Sequence, residues 1–280
     1  MKKHISEEKL IAFERHLRLE EREPATIEKY LRDIRSFAMW LEERALCKEA
    51  VVAWKENLLA KHYAPSTVNS MLIAVNRFFR FQHWDELRVK TVRVQRQIFR
   101  RRDKELTKEE YARLLDTAQD LGRERLALLM ETICATGIRV SEVRYITVEA
   151  AQAGRAEIAL KGKIRTILLP GKLRRKLLKY AKKQNTGSGE IFLTRTGKGM
   201  SRRQIWAEMK SICKKAGVAP SKVFPHNLRH LFARTFYKVC RDVVQLADVL
   251  GHSSVETTRI YLATTGDEYV RRMDRLGLIS

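Results

Sequence analysis

Residues 88–104, RVKTVRVQRQIFRRRDK, break the apolar pattern found on either side, because eight of them are basic and one is acidic. Unpaired charge at that density stays in water. The stretch therefore divides the 280-residue chain into two parts, residues 1–87 and 106–280, with a basic connector at 88–105 between them. A chain of this length slightly exceeds the size at which a single core stops growing, which agrees with two cores. Taken alone, the connector reads equally as a solvated linker or as a strap lying along a polyanion.

Helical periodicity dominates the first part. In PATIEKYLRDIRSFAMWLEER, Ile27, Tyr30, Leu31, Ile34, Phe37, Ala38 and Leu41 recur at three- and four-residue steps, and in PSTVNSMLIAVNRFFRFQHW so do Val68, Met71, Leu72, Val75, Phe78 and Phe79. Pro24 and Pro65 head these segments, where a missing N–H costs little. Shorter helices are expected over 6–20 and 48–61, making a four-helix module. The second part opens on Thr107 and Glu110, spaced as a capping box, and a following helix ends at Gly137. EIALKGKIRTILLP then alternates around Lys161–Gly162–Lys163, which predicts an antiparallel hairpin. A helix is expected at 171–184, a short strand near Ile191–Leu193, and helices thereafter. The fold class is mainly α (α+β): a helical module followed by a mixed domain with a small antiparallel sheet.

The net charge is +23, with 44% of residues apolar. Residues 1–105 hold 23 basic and 16 acidic side chains, a net of +7; residues 106–280 hold 33 and 17, a net of +16. Charge spread through folded sequence in this way predicts a polyanionic partner, nucleic acid first and an anionic membrane surface second. The start, MKKHISEEKL, has no apolar run of signal-peptide length, and no later segment is apolar enough to span a membrane. Cys47, Cys134, Cys213 and Cys240 form no CxxC pair. They read as reduced, mostly buried thiols of a cytoplasmic protein, with no zinc site.

Four separated segments carry candidate chemistry. ATGIRVSEV, residues 135–143, places Arg139 at a helix junction just before Glu142; alone, it reads as a surface arginine. The hairpin turn offers Lys161 and Lys163, which alone read as solvated lysines. FPHNLRHLFAR, residues 224–234, puts His226, Arg229 and His230 on one helix. The two histidines at i and i+4 could chelate zinc, but no HExxH glutamate or third ligand accompanies them. VLGHSSVETTRIYLATT, residues 249–265, sets His252 nine positions before Tyr261, with Ser253 and Glu256 spaced as a capping box.

Together the segments supply phosphoryl transfer through a protein nucleophile. Arginines bind the non-bridging oxygens of a phosphodiester and stabilise charge that grows in the transition state. A lysine protonates a departing alkoxide and histidines shuttle protons. A tyrosine attacks; its free pKa of about 10 leaves roughly one phenol in a thousand ionised at pH 7, a barrier that a cationic pocket lowers.

These boxes resemble those of the tyrosine recombinases, also called the phage-integrase family: TGIRVSEV the first arginine box, HNLRH the His-x-x-Arg-His box, and LGHSSVETTRIY the final box. The resemblance covers nearly the whole chain. It implies that Arg139 and Arg229 clamp the phosphate, that Tyr261 is the nucleophile, and that His226 and His252 assist, with His226 the better general base. Glu142 matches the acidic residue behind the first arginine, and His230 a recurrent family position. The lysine is Lys161 by its Lys-Gly step, with Lys163 the alternative in a turn that departs from the usual Gly-Lys-Gly. Residues 1–87 resemble the family's core-binding domain, which with the catalytic domain forms a C-shaped clamp on duplex DNA. The linker, with Arg93, Arg96, Arg100, Arg101 and Arg102, would then pass close to the duplex.

The resemblance further implies strand exchange through a 3′-phosphotyrosyl intermediate, without cofactor or metal, by a homo-tetramer on double-stranded DNA. The short tail, residues 262–280, would dock on a neighbouring protomer. Integration or excision of a mobile element is the first expectation. Xer-like dimer resolution and DNA inversion are the alternatives within that chemistry, ahead of a type IB topoisomerase or a non-catalytic DNA-binding regulator. Accessory excision or DNA-bending proteins would be further partners. The protein is expected in the cytoplasm, at the nucleoid when bound.

Overall fold

The structure, a computed structural model, describes residues 3–42, 44–93, 104–160, 163–252, 254–261, 270–271 and 273–276, with the backbone alone at Leu160 and Lys163. The chain forms two compact units, Met1–Arg96 and Gln97–Ser280.

The first unit packs α1 (Glu7–Leu19), α2 (Pro24–Leu41), α3 (Lys48–Ala60) and α4 (Pro65–Phe81). Pro24 and Pro65 occupy first-turn positions of α2 and α4, as their placement predicts. The core is aromatic. Phe13 meets Phe78 edge-on with ring centroids 5.4 Å apart, Phe37 lies 4.9 Å from Trp54, and Trp84 caps Phe78 at 6.0 Å. Edge-to-face pairing adds to what area burial supplies. Residues at the start of the basic stretch belong to this unit. Asn76 on α4 exchanges both amide hydrogen bonds with the backbone of Val89 (2.8 and 3.1 Å), and Asn69 does the same with Val92 (2.9 and 2.7 Å). Two asparagines two helical turns apart thus act as a surrogate strand.

The second unit is built on α6 (Glu124–Thr136), whose Leu129, Met130 and Ile133 are wholly buried. Against it pack α5 (Lys108–Asp120), α8 (Gly171–Lys183), α9 (Arg202–Ser211) and α10 (Pro225–Cys240). Thr132 and Thr136, buried on α6, donate to the carbonyls four residues back at 2.7 and 2.6 Å, so no hydroxyl is stranded. Thr107 and Glu110 form the expected capping box on α5. Gly137 ends α6 at φ 65°, and a Cβ there would overlap the Phe232 ring of α10. A 3₁₀ turn, Val140–Tyr145, and α7 (Val148–Ala153) lead into β1 (Arg155–Leu160), which pairs antiparallel with β2 (Lys163–Leu168), Leu160 facing Lys163. Beyond α10 come α11 (Val243–Leu250), α12 (Val255–Thr258) and a 3₁₀ turn, Arg259–Tyr261.

Three expectations are corrected. Residues Ile191–Leu193 make no strand; isolated bridges, Thr147 to Glu190 and Leu193 to Gly199, stand there. The reason is that Ile191 and Phe192 are both buried in succession, so the segment is inserted into the core and not laid along a sheet. The cap of α12 is Ser254, whose hydroxyl accepts from Glu256 N at 3.2 Å, while Ser253 lies outside the described residues. Of the four thiols, all free, Cys213 alone is buried; Cys47 and Cys134 are half-buried and Cys240 is exposed.

Phe78 touches three aromatic rings in the first core. Phe78→Ala should therefore destabilise that unit by about 3–5 kcal/mol, read as a lowered denaturant midpoint; an unchanged midpoint would contradict the packing described.

Candidate active site

Five of the residues singled out in the sequence converge on one cleft of about 790 Å³ in the second unit: Arg139, His226, Arg229, His252 and Tyr261 all line it. Local structure explains how each arrives. The left-handed Gly137 turns the chain out of α6, so Arg139 immediately precedes a 3₁₀ turn at the cleft edge. Pro225 starts α10, placing His226, Arg229 and His230 on its first two turns. Gly251, at φ 63°, ends α11 and turns His252 back toward α10.

Arg229 is 2% exposed. It donates through Nη1 to the Gly137 carbonyl, and through Nη2 to the Leu250 carbonyl at 2.8 Å and to His252 Nε2 at 2.9 Å. Arg139 donates from its backbone N to Glu142 Oε2 and from Nη1 to Oε1, both at 2.8 Å, and its Nη2 reaches the Gly251 carbonyl at 3.3 Å. Glu142 is buried, and its Oε2 also accepts from Arg165 Nη2 at 2.8 Å. Arg165 in turn donates to the Leu250 carbonyl. A Cβ on Gly251 would overlap the Arg165 side chain, so only glycine fits at this turn.

The rings stack in sequence. His226 meets His230 edge-on at 4.4 Å, His230 meets Tyr261 edge-on at 4.7 Å, and His252 lies nearly parallel to Tyr261 at 5.8 Å. Tyr261 is 5% exposed, packed with Ala233, Leu246 and Leu250.

Electrostatics follow from this crowding of cations. Burial, then Arg229, Arg139, Arg165 and His226, hold the His252 imidazole down to about 4. Burial and the same two clamp arginines lower His226. Burial lowers Arg229, and Arg139 lowers it further, while a hydrogen bond with Tyr261 opposes the shift. Arg165 is held down to about 10, chiefly by burial and against the pull of Glu142. At neutral pH the site presents charged guanidiniums and neutral imidazoles, which suits an anion.

Most of the other expected residues are not described. Lys161 and the side chain of Lys163 are outside the described residues; the backbone of Lys163 opens β2. Arg93 is exposed at the end of the first unit, and Arg96, Arg100, Arg101 and Arg102 are outside the described residues. Among the described residues, no group of three or more His, Cys, Asp or Glu side chains could hold a metal ion.

Sequence reasoning missed Arg165, Thr258, Arg202 and Trp206. The last two line the cleft from the first turns of α9. Arg165 left no trace in the sequence, where Ile164, Ile167 and Leu168 do not alternate; its place shows in the structure. Ile164 and Leu168 are exposed while Ile167 is buried, so the two-residue period puts Arg165 on the inward face, where an arginine needs a partner.

The sequence matches the phage integrase family over residues 104–267 and the phage integrase N-terminal SAM-like domain over residues 10–86. Tyrosine recombinase XerA of Pyrococcus furiosus is 28% identical, covering 99% of this chain and 96% of that protein. Among solved structures, a lambda integrase tetramer bound to a Holliday junction matches with TM-score 0.73 at 18% identity, over 91% of this chain and 76% of that one. XerH site-specific recombinase in a post-cleavage complex with palindromic difH substrate matches with TM-score 0.68 at 18% identity, over 90% and 79%. At such identities the two structures share the fold.

The depressed imidazoles give stability a pH signature. Above 6.5, the ordinary value for His252, folded and unfolded rings are both neutral and contribute nothing. As pH falls from there, the unfolded ring takes up a proton that the folded ring refuses until about 4, so stability declines across that window. Denaturation midpoints should fall between pH 6.5 and 5, and His252→Asn should flatten that fall; an identical slope would mean the ring is not held neutral.

Proposed function

The chain belongs to the phage integrase family, and from that membership we propose that it is a tyrosine-type site-specific recombinase that cleaves and rejoins DNA through a covalent 3′-phosphotyrosyl intermediate. The observation that carries the reading is the convergence of Arg139, Arg229, His226, His252 and Tyr261 on one cleft. Arg229 has five N–H donors, of which four are used within the protein, one of them on Tyr261, and Arg139 keeps three of its own. The donors that remain bind the non-bridging oxygens of the scissile phosphate. The donors already used fix each guanidinium in place, so little reorganisation is needed when charge develops.

Tyr261 attacks phosphorus and expels the 5′-hydroxyl of the cleaved strand. The phenolic proton passes to an imidazole. The resemblance assigns that role to His226, which lines the same cleft as Tyr261. A hairpin lysine, Lys161 ahead of Lys163, protonates the leaving oxygen. The 5′-hydroxyl of the partner strand then attacks the phosphotyrosyl bond, reforming a diester and releasing the phenol. Bond energy is conserved in the covalent link.

Double-stranded DNA is the substrate, and the exposed Arg93 with the basic residues after it tracks the phosphates. By analogy with the lambda integrase tetramer, four protomers act together, each tail docking on a neighbour; Val270, Met273 and Leu276 of the tail are apolar and exposed. No helix among the described residues is long and apolar enough to cross a membrane, in keeping with a DNA-acting enzyme of the cytoplasm. Integration or excision of a mobile element is the first task proposed. A Xer-like resolution task is the second, favoured by the nearly end-to-end match with XerA.

Tyr261→Phe should abolish covalent protein–DNA adducts on a suicide substrate while leaving DNA binding nearly intact; adducts that persist would reassign the nucleophile. Lys161→Ala should slow cleavage by about 10²–10⁴-fold, the usual contribution of a general acid, with Lys163→Ala far milder. Equal mild losses in the two variants would show that neither is the acid.

A further inference from the structure

Thr258 is fully buried, and its Oγ1 lies 2.8 Å from His252 Nδ1. The opposite nitrogen, Nε2, lies 2.9 Å from Nη2 of Arg229. A guanidinium has no acceptor, so this contact is a hydrogen bond only if Arg229 donates and Nε2 carries a lone pair. A neutral imidazole with a bare Nε2 carries its proton on Nδ1. Thr258 must then accept that proton's hydrogen bond.

We propose that Thr258 is a positioning residue for the reaction: its hydroxyl accepts from Nδ1–H of His252, in the tautomer that Arg229 sets, and holds the ring in the plane that faces Tyr261. The distances alone leave one assignment, because each ring nitrogen has one partner and one of those partners can only donate. A hydroxyl both donates and accepts. Arg229 sets which nitrogen carries the proton, and the Thr258 oxygen meets that proton on the other side of the ring. Valine has the same shape but would leave a buried N–H without an acceptor. Thr258 lies on α12, three residues before Tyr261, so the bond also ties the nucleophile's own segment to the clamp.

The test has two arms. The first uses the free full-length chain with ¹⁵N-labelled histidine, the His252 signals being identified by their loss in His252→Asn. Long-range ¹H–¹⁵N correlation near pH 7.5 should report the Nδ1–H tautomer in the wild type and in Thr258→Ser, and in Thr258→Val the Nδ1–H proton should lose its downfield, hydrogen-bonded shift. An Nε2–H tautomer in the wild type would overturn the proposal, and this result needs no Thr258 variant to fold.

The second arm rests on the recombinase reading and measures single-turnover cleavage of a suicide substrate. Thr258→Val should lose about tenfold, the scale of one hydrogen bond, at unchanged DNA affinity, and Thr258→Ser should recover most of it. Wild-type rates in a folded Thr258→Val protein would overturn the positioning role. Absence of adducts from the wild type would instead sink the recombinase reading, and the tautomer would still decide the role of Thr258.

Discussion

The site rests on one buried carboxylate. Glu142 is wedged between Arg139 and Arg165, and both of those arginines, with Arg229, donate to the Leu250 and Gly251 carbonyls where α11 ends. A helix C-terminus carries unsatisfied carbonyls and partial negative charge. Here those carbonyls are met by guanidiniums from three segments distant in the sequence. Without Glu142, three cations would crowd one turn with only carbonyl dipoles to hold them. Removing one partner from a buried ion pair typically costs about 3–5 kcal/mol, since the other charge is left uncompensated. Arg165 and Glu142 are both well buried, so that range applies to them more than to Arg139, whose side chain is 43% exposed.

The count of charges in this cluster is unequal by design of the sequence: three arginines, one glutamate. The surplus is what a phosphodiester would neutralise. It also explains the histidines. A protonated imidazole beside Arg229 would add a further like charge, so burial and the arginines together keep His252 neutral well below physiological pH. Neutral rings can accept and pass protons, whereas permanently charged ones could only repel.

Much of this was legible in the sequence. Periodicity located the helices of the first unit to within a residue or so, because amphipathic spacing and Pro24 and Pro65 reported the same boundaries. Gly137 and Gly251 were readable as helix ends because positive φ selects glycine. The clamp was readable as a set of boxes. What stayed hidden depended on pairing across distance. Nothing local says that Arg165 meets Glu142, or that Thr258 meets His252 and not solvent. The short strand expected at Ile191–Leu193 failed for a related reason: consecutive apolar residues look alike in a strand and in a plugged loop, and only the surrounding core decides between them. Thr258 illustrates the limit best, since a threonine in a threonine-rich turn carries no signal until its neighbour is known.

The order of Tyr261 is therefore borrowed. The helix α12 spans four residues, too short to be stable through its own hydrogen bonds, and its threonines have weak helical propensity. Tyr261 follows it in a 3₁₀ turn and is held by packing on Ala233, Leu246 and Leu250, by the rings of His230 and His252, and by Arg229. Each of those contacts belongs to the clamp or to the helices that carry it. Tyr261 is placed when the arginines are placed. Arg139 and Arg229 line the same cleft as Tyr261, so the hydrogen bonds that fix the two guanidiniums also fix the surroundings of the phenol.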